Sequence, residues 1–248
     1  MLRRVLPLLL ATALQPASAA LIEVFPIRDT TIYSDAQSFS NGAGDYLFAG
    51  ATNNGTDYLR RALLAFDFSA IPAGSLIVSA ELRLTVSRKP LTDSGLRTFT
   101  LHRATSDWGE GTSDAEGEEG SGIAAAAGDA TWVNRVQAPA QGWTTAGGDF
   151  AATASASLQM GDPAPYLFNL PGITADVQAW VNGAPNLGWA LLGDETRDAT
   201  ARRFNSRNDP DTGPMLTVEY LLVPEPSAAV LTGFGLVFLV LRRKFPAA

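Results

Sequence analysis

The 248-residue chain has no cysteine and a single histidine, His102. Without cysteine there is no disulfide, even at an oxidising destination, so an apolar core must hold the fold alone. There is no cysteine nucleophile, no Gly-x-Ser-x-Gly elbow and no phosphate-cradling glycine loop. His102 lies in an alternating stretch, opposite Phe99 and Leu101, and as a general base it would need an orienting partner. Basic residues are also in deficit, 18 against 25 acidic. Setting aside Arg3, Arg4, Arg242, Arg243, Lys244 and Glu225 at the ends leaves a middle of charge about −11. Such a surface repels nucleic acid and anionic membranes, and it meets a polyanion only through bridging cations or a local basic patch. Arg202-Arg203 with Arg207, and Arg60-Arg61, are the candidates for that patch, although outward strand charges are the more ordinary explanation of them.

Long apolar runs are missing too. The first residues give Arg3 and Arg4, then the apolar stretch Val5 to Leu14, then the small residues Ala17-Ser18-Ala19. This is the pattern of a cleavable signal peptide over 1–19. At the other end, Pro224-Glu225-Pro226 precedes fourteen uncharged residues, Ala228 to Leu241, and the basic Arg242-Arg243-Lys244. As a helix that run would reach about 21 Å, short of the ~30 Å hydrocarbon core, and suits a temporary hold better than a permanent span. The basic end would stay on the cytoplasmic side.

Between the ends, 20–222 is long enough for one all-β domain. Ala80, Leu82, Leu84 and Val86 alternate with Glu81, Arg83, Thr85 and Ser87, as in a half-buried antiparallel strand. Arg28–Tyr33, Tyr46–Phe48, Arg61–Phe68, Thr98–Arg103 and Leu216–Tyr220 are further strands, with turn signals at Asn53-Asn54-Gly55, Ile71-Pro72-Ala73-Gly74 and Asn182-Gly183. Ile173, Val177 and Trp180 or Val181 recur at helical spacing and predict one short helix closing an end of the sheets. The expected architecture is an antiparallel, jelly-roll-like β-sandwich with Leu82, Leu84, Phe66 and Val218 inside, flanked by a signal helix and a short C-terminal apolar helix. Gly109 to Asp129 breaks the pattern: it is glycine, alanine and acid, and such runs are solvated and functional or disordered.

The tail, with its Pro-Glu-Pro motif, short apolar run and basic end, resembles the PEP-CTERM sorting signal of Gram-negative bacteria. That resemblance implies an exosortase-type processing partner at Pro224, Glu225, Pro226, Arg242 and Arg243, transient membrane contact, and delivery to the cell surface or extracellular matrix. The middle resembles the DNRLRE domain family. The matching strings are Arg61-Ala62-Leu63-Leu64-Ala65-Phe66-Asp67-Phe68, Ile71-Pro72-Ala73-Gly74 and Ala80-Glu81-Leu82-Arg83-Leu84. They continue in order with Leu101-His102-Arg103, Trp108-Gly109-Glu110-Gly111, Thr131-Trp132, Asp176-Val177 with Trp180, Asn186-Leu187-Gly188-Trp189, Phe204-Asn205-Ser206-Arg207 and Pro214-Met215-Leu216-Thr217-Val218. That family is similar to carbohydrate-binding module family 96, which implies a jelly roll and binding of alginate-type polysaccharide. The acidic insert departs from the family pattern.

Three chemistries suit the residues. Pyranose faces stack on exposed aromatics, and Trp108, Trp132 and Trp143 flank the glycine-rich segments, whereas Trp180 and Trp189 fit the core. Ca²⁺ takes six to eight oxygen ligands, and Asp107, Glu110, Asp114, Glu116, Glu118 and Glu119 could supply them, without the spacing of an EF-hand. A carboxylate pair could cleave a glycosidic bond only from a rigid frame, which the insert does not promise. The expectation is therefore a secreted, non-catalytic protein that binds extracellular polysaccharide. A purely structural matrix component is the alternative, and a polysaccharide-active enzyme comes third.

Overall fold

The computed structural model describes residues 19–222; the expected signal peptide, 1–19, falls outside them except for its last residue, and the expected sorting tail, 223–248, lies outside them entirely. The first strands are β1 (Ala19–Val24), β2 (Pro26–Tyr33), β3 (Phe39–Ser40), β4 (Tyr46–Ala51), β5 (Leu59–Phe66), β6 (Leu76–Arg88) and β7 (Arg97–Arg103). A long connection carrying β8 (Ile123–Ala124), β9 (Asn134–Val136) and β10 (Gln141–Gly142) leads to β11 (Ala156–Met160) and β12 (Ala164–Phe168). The chain closes with α1 (Pro171–Val181), β13 (Trp189–Leu192), β14 (Arg202–Asn205) and β15 (Met215–Leu221). The fold is all-β and antiparallel, a sandwich with one helix.

In one layer β15 lies between β1 and β6, β12 takes the other edge of β6, and β14 pairs with the far end of β6 and with β4. In the other, β5 lies between β2 and β13, and β7 joins β13 to β11. The strand β4 belongs to both. Tyr46 to Ala49 pair with β14, and Gly50 and Ala51 then pair with Arg60 and Leu59 of β5. The bend falls at Gly50, whose φ is 110°. A Cβ there would lie 2.8 Å from the Ala201 Cα, so only glycine lets the chain cross between the layers at this point.

Alternating side chains of both layers meet inside. Leu82, Leu84, Phe66 and Val218 are buried there, as their period of two predicts, together with Leu47, Leu64, Phe99, Leu101, Trp189, Phe204 and Leu216. The helix begins with Pro171 in its first turn and is terminated by Gly183 at φ 94°, whose N–H donates to the Trp180 carbonyl. Its buried face, Ile173, Val177, Trp180 and Val181, joins the same core. The fifth strand stops at Phe66 instead of Phe68, because the Asp67 carboxylate accepts hydrogen bonds from the Ser69 N–H and hydroxyl and turns the chain. Phe68 still packs inward, stacked on Trp180.

The stretch between β7 and β11 departs most from expectation. It forms a third layer on the outer face of the second sheet, where Trp108, Ala130, Trp132 and Trp143 pack against Ile32, Leu63, Ala65 and Ala190. The reason is in β5 and β13: Ala62-Leu63-Leu64-Ala65-Phe66 and Trp189-Ala190-Leu191 are apolar on both faces, so each face needs a cover. The insert is therefore partly built in, with Asp114, Glu116 and Glu118 on its exposed side. Glu119 and Asp129 are buried, and their carboxylates accept hydrogen bonds from backbone N–H groups: Asp45 and Tyr46 to Glu119, Ser113 and Ala126 to Asp129.

A Gly50→Ala variant tests the bend. It forces an unfavourable φ and a backbone clash together, so we expect a loss of about 2 kcal/mol or more in urea unfolding. Gly74→Ala, where nothing lies within 4 Å of the added Cβ, is expected to lose less.

Candidate functional site

The sequence clusters Arg60-Arg61 and Arg202-Arg203 lie far apart along the chain, and β4 brings Arg60 of the first and both arginines of the second to a shared groove. The groove holds about 480 Å³ and is walled by Arg60, Arg88, Lys89, Arg202, Arg203 and Glu118. Phe48, Pro90 and Leu91 add apolar surface, and Leu91 is fully exposed. Five cations and one carboxylate thus meet on a chain whose net charge is −7. Arg88 and Lys89, absent from the sequence candidates, come from the end of β6, where Arg88 lies in register with Arg203.

The five cations differ in what they can offer a ligand. Arg202 is fully buried. Its guanidinium donates to the Gly161, Thr200 and Gly95 carbonyls and, at 2.7 Å, to Asp93. Burial by itself would raise the Asp93 carboxyl, but hydrogen bonds from Arg97 and Arg202 outweigh it and hold the group at about 2. Arg60 is buried as well, paired with Asp35 and stacked 4.7 Å from the centre of the Tyr33 ring. These two frame the groove. Arg88, Lys89 and Arg203 face its opening. Arg203 is held in place by Ser87, to which its Nε donates at 3.1 Å, and by the Tyr46 ring 3.8 Å below it. Arg88 and Arg203 both donate to Glu118, and Lys89 lies 2.5 Å from Asp162.

The tryptophans proposed for stacking lie elsewhere and are enclosed. Trp108 is 1% exposed, Trp132 8% and Trp143 9%. The Trp108 and Trp143 indole N–H groups donate to the Leu187 and Thr131 carbonyls, while Arg28 lies over the Trp108 ring and Arg61 over Trp132. These rings fill the interface between cover and sheet, which corrects the expectation of exposed platforms. Trp180 and Trp189 are in the main core, as expected.

The six acids read as calcium ligands are dispersed. Asp107 pairs with Arg28, Glu110 with Arg207, Glu118 with Arg88 and Arg203, and Glu119 turns inward, while Asp114 and Glu116 face solvent. Among the described residues no three metal-ligating side chains converge. The separation has a simple cause: arginines claim Asp107, Glu110 and Glu118, and backbone N–H groups claim Glu119.

One carboxyl has the raised affinity for protons that acid catalysis would use. Burial pushes Asp29 up to about 7, with Glu110 adding to the effect and hydrogen bonding to the Arg207 N–H opposing it. Yet Asp29 is 1% exposed, and Glu110 is tied to Arg207 and to the Asp29 N–H, so no substrate bond reaches between them. The two nitrogens of His102 are engaged by the Ala151 carbonyl and the Thr100 hydroxyl.

No protein-family model matches this chain, and no curated protein is similar to it at a meaningful level. Among the described residues no helix is long and apolar enough to cross a membrane.

The two shifted aspartates give opposite pH behaviour. Asp93 is depressed in the fold, so its stabilisation is complete above about pH 4 and is lost as pH falls towards 2. Asp29 is elevated, so stability falls as pH rises from about 4 to 7, where the unfolded carboxyl ionises before the folded one does. In urea titrations at several pH values, Asp29→Asn is expected to flatten the second slope. Asp93→Asn should cost about 3 to 5 kcal/mol at pH 7, because it leaves Arg202 buried without a counter-charge.

Proposed function

We propose that this chain is an exported, non-catalytic protein of the cell surface or extracellular matrix of a Gram-negative bacterium, and that it binds acid-bearing polysaccharide along the cationic groove. The observation that carries the reading is the convergence of Arg88, Lys89 and Arg203 beside Phe48, Pro90 and Leu91. Cations recognise carboxylate or sulfate groups, while apolar surface covers the C–H faces of sugar rings. The negative charge of the rest of the domain argues against a polyanion binding everywhere and leaves this groove as the place where it can. The resemblance of the middle to the DNRLRE family and of the tail to the PEP-CTERM signal supports the same destination and ligand class. An exosortase-type enzyme is then the processing partner of Pro224-Glu225-Pro226.

Burial of Trp108, Trp132 and Trp143 favours the alternative, a matrix component without a specific ligand. Affinity electrophoresis separates the two. Retention by alginate or polygalacturonate is expected to exceed retention by neutral glucans and to weaken as salt rises, since exposed charges are screened. The double variant Arg88→Ala/Lys89→Ala should lose about tenfold or more in affinity, some 1.4 kcal/mol. A blank panel, or full binding by the double variant, would overturn the proposal.

A further inference from the structure

Within the groove one contact resembles a bound ligand. The same oxygen of Glu118, Oε2, accepts hydrogen bonds from Arg88 and, at 2.6 Å, from Arg203. Two guanidinium groups converging on one carboxylate oxygen form an acceptor site for a single anionic group. Arg203 arrives prearranged by Ser87 and Tyr46, so it loses little freedom on binding. The carboxylate that fills the site is, by contrast, loosely placed. Glu118 is 69% exposed and follows Gly117, which has φ 70° and open space around it. The next residue, Glu119, is the opposite: its buried carboxylate is fixed by Asn41, Asp45 and Tyr46. The chain is thus clamped at Glu119 and presents Glu118 to the groove from that anchor.

We propose that Arg88 and Arg203 form a one-carboxylate subsite and that Glu118 is its tethered occupant, which the acidic group of a ligand must displace. The inference rests on the groove being the polysaccharide site and adds how it discriminates. An exposed ion pair is worth about 0–1 kcal/mol, so the internal contact is cheap to break. A tethered group nevertheless competes at an effective concentration on the order of millimolar. A free monosaccharide acid below that level loses to Glu118. A polymer that also engages Lys89 and the apolar wall gains several contacts at once and wins. Glu118 therefore acts as a threshold that passes polyuronates and rejects single acids.

The test compares Glu118→Gln with Glu116→Gln. Both remove one charge from the same loop, but Glu116 faces solvent and enters no ion pair among the described residues. Glucuronate is the probe, titrated by NMR, with thermal melting to confirm that both variants are folded. E118Q is expected to bind glucuronate about two- to sixfold more tightly than wild type, the gain that removal of an internal contact worth about 0–1 kcal/mol gives. E116Q should change by less than about twofold, and adding Arg88→Ala to E118Q should abolish the gain. Equal behaviour of the two glutamine variants, or a gain that survives Arg88→Ala, would sink the subsite. A second arm measures polygalacturonate retention. If no variant retains the polymer while glucuronate still separates E118Q from E116Q, the polysaccharide reading fails and the subsite stands. If the polymer is retained without that separation, the subsite fails and the groove reading stands.

Discussion

Strand β4 hydrogen-bonds to β14 through its first four residues and to β5 through its last two, and Gly50 supplies the bend between them. That shared membership fixes the spacing of the two layers at this edge. It also decides which arginines become neighbours: β14 carries Arg202 and Arg203, β5 carries Arg60, and β4 lays Phe48 between them. The approach is close enough that a Cβ on Gly193 would come within 2.7 Å of the Gly50 backbone, so two glycines face each other where the layers join. A β-bulge or a longer loop could have turned the chain as well, but neither would bring strands of both layers so near.

Arginine does much of the work that disulfides do in cysteine-bearing domains. Arg28, Arg60, Arg61 and Arg203 each lie over an aromatic ring, respectively Trp108, Tyr33, Trp132 and Tyr46. Each also has a carboxylate within reach, so the charge is compensated where it is partly withdrawn from water. A planar guanidinium suits both demands, since it stacks on one face and donates along its edge, which an ammonium cannot do. The cover uses the same pairs to attach itself: Asp107 and Trp108 hold Arg28, and Glu110 holds Arg207. Removing Asp107 and Glu110 would leave Arg28 and Arg207 without these partners.

Charge is therefore sorted in space even though it is mixed along the sequence. Glu119 and Asp129 are spent on backbone N–H groups and Glu110 on Arg207, while the carboxylates that meet Arg88, Lys89 and Arg203 are exposed. A groove of this kind differs from a basic surface: its cations act over short distances and are surrounded by a negative domain, which limits attraction of nucleic acid or membrane.

Much of the architecture could be read from the residues alone. The alternation of Ala80 to Val86 and of Leu216 to Tyr220 dictates strands with one buried face, and Ile173, Val177 and Trp180 dictate the helix, because these periods are local properties of the backbone. The run Arg61 to Phe68 reads as a strand with Leu64, Phe66 and Phe68 on one face, and that reading left the burial of Leu63 and Ala65 on the other face unforeseen. What covers that face, why Glu119 and Asp129 are inside, and why Trp108, Trp132 and Trp143 are hidden are decided by contacts between segments distant in sequence. The cationic groove belongs to the same category. Arg60, Arg88 and Arg203 are unremarkable strand charges until β4 and β14 place them side by side, and no local pattern encodes which strands will be neighbours.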